Sequence, residues 1–580
     1  MVNIIRRFFD FCGEENRRKF VLSIILGVVQ AVFEALRIPA IACMIRALIR
    51  GNVTSQDILL SLGIMLVSIL GAGLIKAKCT MLQTEAGYDT CARKRVEIAE
   101  HMRYLPMGYF NKNSLGQITS VTTNVMENLE NVATRVVMMV CEGLLTTSLI
   151  IVMLMFFDWR IAMVLLAGFV IFLMANSLLQ SAAGKMTPRK MDADEKIVEK
   201  VLEYLQGMAE VKAYHLSGQK SRELNEAISF NVKANTDMEM TLVPRMAFQS
   251  FIAKVTGVFM VGFACAFYCN GTMDALTAVV MVISAFIVNS SLETAGNYSA
   301  LLRVVDSSVE RAQVILDTPQ MDITGDVITP ENRDLKAENV EFSYDSRKVI
   351  DGISVSIPEK TTTAIVGPSG GGKTTLVNLL ARFWDVDQGT VSLGGKDVRE
   401  YDMDSLMANF SFVFQNVYLF HDTVAANIRF GQPEAPMEKV IEAAKKAACH
   451  DFIMSLPEGY DTVIGEGGAS LSGGEKQRIS IARAMMKDAP VIFLDEATAN
   501  VDPENENELM QAIQALTKEK TVIMIAHRLK TVEHADNILV VHHGKIVQQG
   551  THSELMAQDG LYKDFIGERR EAASWKVRNA

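Results

Sequence analysis

The 580-residue sequence contains only 13 prolines, lacks an excess of basic charge and has no paired cysteines. Its 57 lysine and arginine residues are outnumbered by 67 aspartate and glutamate residues, for a formal net charge of −10. Because affinity for nucleic acid depends on basic side chains that meet phosphate, this deficit argues against a nucleic-acid-binding chain. The eight cysteines have neither C-x-x-C pairs nor the spacing of zinc ligands. We therefore interpret them as reduced, small apolar side chains.

A cleavable signal sequence is also lacking. Residues 1–19 are amphipathic and basic, and no small-residue cleavage site follows them. This pattern predicts an interfacial helix on the cytoplasmic leaflet of a membrane.

Long apolar runs fill the first 320 residues, and overall 49% of the residues are hydrophobic. A membrane-spanning helix needs about 20 predominantly apolar residues. Six runs meet this length or approach it, and they are centred on 20–48, 58–75, 136–157, 161–179, 246–269 and 276–288. The sequence therefore predicts an α-helical membrane domain, 1–320, with six transmembrane helices.

The connections between these runs are of two kinds. Residues 158–160 and 270–274 form tight hairpins, whereas 76–135 and 180–245 are long, charged and helical in pattern. Basic clusters in the long segments place them, and both termini, on the cytoplasmic side. We expect each cytoplasmic extension to break once, near 124–129 after Gly116 and near 211–216 after Gly207. The two breaks would be short crosswise helices that touch a nucleotide-binding domain.

Five ionisable residues in or next to the apolar runs are candidates for a function, because a charge within the membrane costs about 2.5–3.5 kcal/mol on insertion. Three interpretations stay open for them: they line a substrate cavity, they pair between helices, or they lie below the hydrocarbon. Glu34 and Arg37 are three residues apart on one helix face and could neutralise each other. The other three are Glu142, Lys254 and Glu293.

Beyond Pro319 the composition changes to that of a soluble α/β domain, 321–580. Residues 367–374 read GPSGGGKT, preceded by an apolar strand pattern and followed by a helical one. In such a loop the backbone N–H groups and the helix N-terminus face phosphate oxygens. Lys373 would reach the β- and γ-phosphates of a nucleotide, and the Thr374 hydroxyl would ligate Mg²⁺. The remaining loop residues predicted to bind nucleotide are Gly367, Pro368, Ser369, Gly370, Gly371, Gly372 and Thr375.

A second glycine-rich helix start and a buried strand with two terminal carboxylates follow. Residues 471–478 read LSGGEKQR, which makes Ser472, Gly473, Gly474 and Glu475 a second anion site. In the strand pattern 491–496, VIFLDE, Asp495 would hold hydrated Mg²⁺ and Glu496 would orient and deprotonate the attacking water.

Three more positions complete the predicted site. Tyr344 could stack on adenine, Gln415 could reach Mg²⁺ or water, and His527 could hydrogen-bond the γ-phosphate. The pair His542 and His543 lacks such neighbours, and we interpret it as a surface turn.

In this order, and after six apolar runs, Tyr344, GPSGGGKT, Gln415, LSGGEKQR, VIFLDEAT and His527 resemble an ABC transporter of the exporter fold, type IV. The resemblance implies a half-transporter that pairs with a second half. ATP would then be bound between the phosphate loop of one chain and the signature 472–475 of the other. Hydrolysis would drive alternating access in a bacterial cytoplasmic membrane. The resemblance also implies that 465–467 contacts the crosswise helices across the dimer, and it assigns Asp502 to inter-subunit signalling.

One segment departs from the family pattern. Where Ser-Ala-Leu-Asp is usual, residues 499–502 read Ala-Asn-Val-Asp. Asp502 is retained, while the altered residues favour a heterodimer with a non-identical partner over a homodimer. The sequence of this segment is also similar to that of a branch of exporter-fold proteins that import iron-siderophore complexes as heterodimers.

The main hypothesis is therefore ATP-driven export of an amphipathic small molecule or peptide. Import of a metal-loaded siderophore is the alternative, and an ATP-gated channel or regulator with the same fold is a remote one. A soluble ATPase of the DNA-repair kind is excluded by the six apolar runs.

Overall fold

The computed structural model describes residues 2–112, 115–214, 219–321, 325–344, 347–465, 468, 471–495, 503–526 and 532–567. The chain divides into two compact units. The first comprises Met1–Leu105 and Phe110–Pro319, and the second comprises Pro106–Tyr109 and Gln320–Ala580.

The first unit is α-helical throughout its described part. The helices up to Pro319 are α1 (Val2–Phe11), α2 (Gly13–Ala35), α3 (Arg37–Ile49), α4 (Ser55–Arg103), α5 (Met107–Lys112), α6 (Leu115–Ser120), α7 (Met126–Asn128), α8 (Thr134–Phe157), α9 (Trp159–Gln206), α10 (Met208–Ala213), α11 (Gln219–Cys269), α12 (Ala275–Ser299) and α13 (Leu302–Asp317). The first three residues of α5 belong to the second unit. Two π-helical turns, Val121–Val125 and Leu129–Ala133, flank α7.

The six predicted spans are confirmed. Among the described residues, six helical stretches are long and apolar enough to cross a membrane: Gly13–Ile49, Ser55–Arg103, Ile118–Phe157, Trp159–Gln206, Arg222–Cys269 and Ala275–Asp317. Both predicted hairpins are present, and an aspartate starts the second helix of each. The Asp158 carboxylate accepts a hydrogen bond of 2.8 Å from the Arg160 N–H, and that of Asp274 accepts one of 3.2 Å from the Thr277 N–H. Side-chain oxygens at this position satisfy N–H groups that the first turn leaves unpaired.

The first apolar run is interrupted, which the sequence analysis did not anticipate. Helix α2 ends at Ala35, Leu36 is a turn, and α3 begins at Arg37. Pro39 explains the interruption, because proline has no N–H with which to bond the carbonyl four residues earlier.

The prediction for the first cytoplasmic break was wrong. Around 124–129 the chain remains helical, with π-helical turns in place of a crosswise helix. The short separate helix is α5, which begins at Met107 after the chain turns at Tyr104. Gly116, taken as a breaker, lies inside α6, and a Cβ atom there would be 2.7 Å from the Glu199 Cα atom. It is a helix-packing glycine.

The second break lies where it was predicted. Helix α9 ends at Gln206, Gly207 follows, and the short helix α10 ends at Ala213. Residues 215 and 216, which the prediction included, lie outside the described part of the chain. The predicted contact of these helices with a nucleotide-binding domain remains a prediction.

The second unit contains two sheets. Its strands are β1 (Leu335–Tyr344), β2 (Arg347–Ile357), β3 (Thr362–Val366), β4 (Gln388–Leu393), β5 (Lys396–Asp397), β6 (Phe410–Val413), β7 (Val491–Asp495), β8 (Thr521–Ile525), β9 (Asn537–His542) and β10 (Lys545–Gly550). One sheet is antiparallel, in the order β2-β1-β4-β5, and the other has the order β10-β9-β3-β8-β7-β6. In the second sheet, strands β9, β3, β8, β7 and β6 run parallel.

Helices cover the larger sheet. They are α14 (Lys373–Leu380), α15 (Met403–Met407), α16 (Val424–Arg429), α17 (Met437–Lys446), α18 (His450–Ser455), α19 (Gly473–Lys487), α20 (Pro503–Thr517) and α21 (His552–Ala557). Short 3₁₀ turns occur at Val398–Glu400 and Gly459–Asp461. The central strands are buried on both faces, which accounts for their unbroken apolar sequence.

The cysteines of the chain are all free thiols. Cys449 is buried between helices of the second unit, and its burial raises the pKa of the thiol to about 12. It therefore remains protonated and packs as a small apolar side chain, as the sequence suggested.

Candidate functional site

The parallel strands of the larger sheet bring the predicted site residues to one edge. Ile525 in β8 pairs with Ile365 in β3 on one side and with Asp495 in β7 on the other. Strand β6 lies beyond β7, and its last residue, Val413, pairs with Leu494. The phosphate loop after β3, Asp495 at the end of β7 and the segment after β6 that holds Gln415 are thus at the same carboxyl edge. Ligands of parallel α/β sheets bind at this edge.

Gly367 and Gly372 give the phosphate loop its shape. Gly367 has φ of +140°, and a Cβ atom there would be 2.1 Å from the Val541 carbonyl oxygen. Gly372 has φ of +105° and immediately precedes α14. Glycine is the residue that adopts these conformations at low cost. Gly372 offers no side-chain cap to α14, and a helix N-terminus without such a cap favours an anion.

Lys373 is buried in the loop that it closes. Its ammonium donates hydrogen bonds of 3.0 Å to the carbonyl oxygens of Gly367 and Pro368. Thr374, the next residue, is exposed, and Thr375 is buried. The lysine is therefore held in the concave side of the loop, while the Thr374 hydroxyl faces outward.

Tyr344 belongs to an aromatic cluster beside the loop. Its ring is edge-on to Phe342 and Trp384, with centroids 4.9 Å and 5.7 Å away, and its hydroxyl is 3.4 Å from the Thr375 hydroxyl. Sequence analysis missed Trp384 and also Val541, whose carbonyl oxygen lies next to Gly367 in the phosphate loop. Nothing in the motif spacing points to either residue, because both approach from other strands and loops of the unit.

The signature segment begins a well-capped helix. Ser472 precedes α19, and its hydroxyl is 2.8 Å from a Glu475 carboxylate oxygen, which also accepts a hydrogen bond of 2.7 Å from the Ser472 N–H. In return, the Glu475 N–H donates to the Ser472 hydroxyl at 3.4 Å. This reciprocal capping box fixes the start of the helix. Ser472 and Gly473 are exposed, whereas Gly474 is buried. The first turn therefore presents its polar groups to solvent.

Several predicted residues lie outside the described part of the chain. They are Glu496, Asp502, His527 and two members of the 465–467 segment, residues 466 and 467. In the sequence, Glu496 directly follows Asp495, the last residue of β7, and His527 directly follows Ala526. Of the pair expected to form a surface turn, His543 is exposed and in the turn, with φ of +47°, whereas His542 is the last residue of β9.

The donor set at the edge fits Mg²⁺. A threonine hydroxyl, a carboxylate and a side-chain amide oxygen are available from Thr374, Asp495 and Gln415, which follow or end β3, β7 and β6. Mg²⁺ prefers oxygen ligands and retains several waters. The chain thus supplies ligands of the required chemistry on strands whose register brings their ends to one edge.

Glu142 pairs with residues on other helices, whereas the partner of Glu34 is on its own helix. The Gln30 amide donates to carboxylate oxygens of Glu142, at 2.7 Å, and of Glu34, at 3.3 Å. Lys76 lies 3.5 Å from the Glu142 carboxylate. Within the described residues, no ion pair joins Glu34 to Arg37, so the predicted mutual neutralisation was wrong.

Lys254 and Glu293 form a second intramembrane pair. The ammonium of Lys254 on α11 is 3.5 Å from the Glu293 carboxylate on α12. The same carboxylate accepts a hydrogen bond of 3.0 Å from Ser250. Of the interpretations left open by the sequence, pairing between helices describes Glu142, Lys254 and Glu293.

Comparison with known families gives matches to both units. A family model described as ABC transporter matches residues 350–499, and one described as ABC transporter transmembrane region matches residues 20–292. A solved bacterial Atm1-family ABC exporter with ATP bound has a TM-score of 0.87 to this chain, with 24% identity over 96% of this chain and 99% of the other. At that identity the likeness concerns the fold.

Two groups of relatives differ in the activity that their names describe. The ATP-dependent lipid A-core flippase of Vibrio cholerae is 34% identical over 494 residues, or 81% of each chain. The mycobactin import ATP-binding/permease protein of Mycobacterium tuberculosis is 34% identical over 516 residues, or 87% of this chain. The chain spans 59% of the length of that protein and 63% of the corresponding one from Mycolicibacterium smegmatis.

Proposed function

This chain belongs to the ABC transporter family, and on that premise we propose that it is one half of an ATP-driven pump that exports an amphipathic small molecule or peptide. The observation that carries the proposal is that a membrane region and an ATP-binding region occur in the same chain. One six-helix membrane region precedes one ATP-binding region, which has one lysine-bearing loop and one capped signature helix. A second half would complete both the membrane path and the nucleotide sites.

The phosphate loop would hold the triphosphate. Phosphate oxygens are better acceptors for an ammonium than neutral carbonyls, so they would draw Lys373 from Gly367 and Pro368. The N-terminus of α14, which has no side-chain cap, would add to this attraction. Tyr344, steadied by Phe342 and Trp384, offers an aromatic face to adenine.

Hydrolysis requires charge neutralisation and an oriented water. Thr374, Gln415 and Asp495 would hold Mg²⁺, which supplies positive charge to the phosphates when bound. Glu496 would take a proton from the attacking water, and His527 would donate a hydrogen bond to the γ-phosphate. The exposed polar turn of Ser472 would meet the nucleotide held by the opposite half.

Export is tested with vesicles. Inside-out membrane vesicles that contain the chain and its partner should accumulate an exported compound in their lumen when ATP is supplied. The Glu496→Gln variant should bind ATP but neither hydrolyse it nor accumulate the compound. Glu438→Gln, an exposed surface change on α17, is the matched control and should behave as the unaltered chain does. Unchanged turnover in Glu496→Gln would refute its assignment as the base.

Import of an iron-siderophore complex is the second candidate. It is supported by the 34% identity to mycobactin import proteins. In the same inside-out vesicles, import predicts ATP-dependent loss of a preloaded ferric siderophore from the lumen. Luminal accumulation of the siderophore would contradict import and favour export.

Partner and location complete the proposal. The unusual sequence of residues 499–502 supports a non-identical second half. The six apolar helices and the basic clusters of the long segments support a bacterial cytoplasmic membrane, with both termini in the cytoplasm. Affinity purification of the tagged chain should recover a different half-transporter of similar size in equal amount. Recovery of the chain paired only with itself would establish a homodimer. A fluorescent-protein fusion at the C-terminus should fluoresce, because that reporter folds in the cytoplasm.

A further inference from the structure

A cavity of about 330 Å³ lies within the first unit, between α2, α4 and α8. Each helix lines it with residues spaced by three or four positions, such as Ser23, Gly27 and Gln30 on α2. This spacing places them on one face of a helix. On the far wall, Lys76 and Gln83 lie two turns apart on α4, and the Gln83 amide donates a hydrogen bond of 2.8 Å to the Ser23 hydroxyl. The cavity is therefore lined by three helices of one chain and is partly open to its surroundings.

The cavity carries a net positive charge. Lys76 and Arg135 line it as cations and Glu142 as an anion. The Glu142 carboxylate already has two partners. It accepts a hydrogen bond of 2.7 Å from Gln30, which is only 3% exposed, and it lies 3.5 Å from the ammonium of Lys76. Arg135 forms no ion pair within the described part of the chain. One guanidinium is thus left to bind an anion.

Both cations mark the end of a hydrophobic run. Lys76 directly follows the apolar residues 58–75 of α4, and Arg135 directly precedes the apolar residues 136–157 of α8. Basic residues at these positions lie where the hydrocarbon meets the lipid head groups. Basic pockets between transmembrane helices at this depth bind anionic head groups.

Part of the cavity wall is apolar and suits hydrocarbon, although Thr80, Thr84 and Thr134 also line it. Ile24 on α2 and Met138, Met139 and Leu145 on α8 contribute apolar walls. At Gly27 a Cβ atom would meet no other atom within 4 Å, so the absent side chain leaves room in the cavity. A fully polar ligand would leave these walls without a partner.

We propose that this cavity binds one anionic phospholipid of the surrounding leaflet, with its phosphate at Arg135 and the start of an acyl chain beside Gly27. The guanidinium supplies two parallel N–H donors for phosphate oxygens. The site is separate from the nucleotide site, and its occupation requires neither ATP nor transport.

Binding of short-chain lipids to the purified full-length chain tests the proposal. Native mass spectrometry or thermophoresis without nucleotide would compare dihexanoyl phosphatidylglycerol with dihexanoyl phosphatidylcholine. The unaltered chain should bind the anionic lipid about fivefold more tightly, the effect of one cation near the membrane surface. Arg135→Gln should abolish this preference. Lys78→Gln, which removes an exposed cation from α4 beside the cavity lining, should retain it.

A second pair of variants tests the room for the acyl chain. Gly27→Leu should fill the cavity and weaken binding of both lipids, whereas Gly73→Leu, at an equally open position on α4, should not. Melting temperatures would establish that all four variants fold, and Lys373→Ala should bind lipid as the unaltered chain does.

Three results would overturn the proposal. One is equal affinity of the unaltered chain for the two lipids, and another is loss of the preference in Lys78→Gln as well as in Arg135→Gln. The third is displacement of the lipid by glycerol phosphate alone at equal concentration, because a soluble anion would then be sufficient.

Discussion

The ammonium of Lys373 donates a hydrogen bond of 3.0 Å to the carbonyl oxygen of Gly367, six residues earlier in the chain. The lysine therefore closes the phosphate loop on itself and keeps a positive charge at its centre. This arrangement requires that the side chain be both long and cationic, and it ties the shape of the loop to its ability to attract phosphate.

Loss of this ammonium should remove ATP binding and hydrolysis. In Lys373→Ala we expect ATP turnover to fall by about 100-fold or more, the usual effect of deleting one charged donor at a reacting phosphate. Lys396→Ala, which removes an exposed lysine from β5, is the control. Turnover and fluorescent-nucleotide binding would be measured on the reconstituted chain with its partner. Normal turnover in Lys373→Ala would contradict the assignment of the loop.

Gly367→Ala should damage the loop more than Gly370→Ala. At Gly367 the new Cβ atom would be 2.1 Å from the Val541 carbonyl oxygen, whereas at Gly370 no atom lies within 4 Å. Both glycines have positive φ, so Gly370→Ala should cost only backbone strain, about 1–2 kcal/mol. Gly367→Ala must also displace β9, and we expect a further loss of stability. Thermal unfolding compares them, and equal melting temperatures would show that the contact with Val541 is readily relieved.

Ser472→Ala should cost about 1 kcal/mol in stability, because it removes the cap of α19. If Ser472 also meets nucleotide, ATP turnover should fall by more than the stability loss explains. The control is Thr551→Ala, since Thr551 and Glu554 form another capping box at the start of α21. Both variants should show a similar fall in melting temperature. Only Ser472→Ala should lose turnover, and parallel loss in both would assign the effect to helix capping.

The capping box at α21 should make stability depend on pH. Hydrogen bonds from the backbone and the hydroxyl of Thr551 lower the pKa of Glu554 below its ordinary value. A carboxylate with a depressed pKa stabilises the fold above its ordinary pKa, and this stabilisation is lost as the pH falls through the depressed value. Thus the difference in melting temperature between the unaltered chain and Glu554→Gln should be largest near neutral pH and vanish in acid. A constant difference would contradict this role.

Gly143 should be needed for close packing of α8 on α12. A Cβ atom there would be 2.7 Å from the Ser291 carbonyl oxygen and 2.8 Å from the Ala295 Cβ atom. Gly143→Leu should therefore force the helices apart and destabilise the chain by about 1–3 kcal/mol. Gly262→Leu, on a face of α11 with no atom within 4 Å, should have little effect. Melting curves in detergent measure both.

The motifs predicted the local structure around the candidate nucleotide site, because each motif consists of contiguous residues. A strand, a glycine-rich loop and a helix follow one another at β3 and α14, and Asp495 does end a buried strand. Trp384 and Val541 could not be found in this way. They reach the site through sheet pairing and loop packing, which depend on residues far apart in the chain.

Both errors in the membrane region concern the positions at which helices are interrupted. Gly116 was interpreted as a helix breaker, but glycine is equally suited to a close helix contact, and Glu199 provides that contact. A better signal was Pro106, just after the turn at Tyr104, since helices commonly start near proline. Similarly, the expected pairing of Glu34 with Arg37 assumed an unbroken helix, whereas Leu36 interrupts it.

Strand β8 lies between the strand that leads into the phosphate loop and the strand that ends in Asp495. Adjacent strands are about 4.8 Å apart, so the span from loop to carboxylate is a backbone dimension close to twice that spacing. Side chains on β8 can therefore be replaced by others of equal volume without altering the distance between the phosphate loop and Asp495. Substitutions intended to change the rate of ATP hydrolysis should therefore be made in the segments that follow β3 and β7, not in β8.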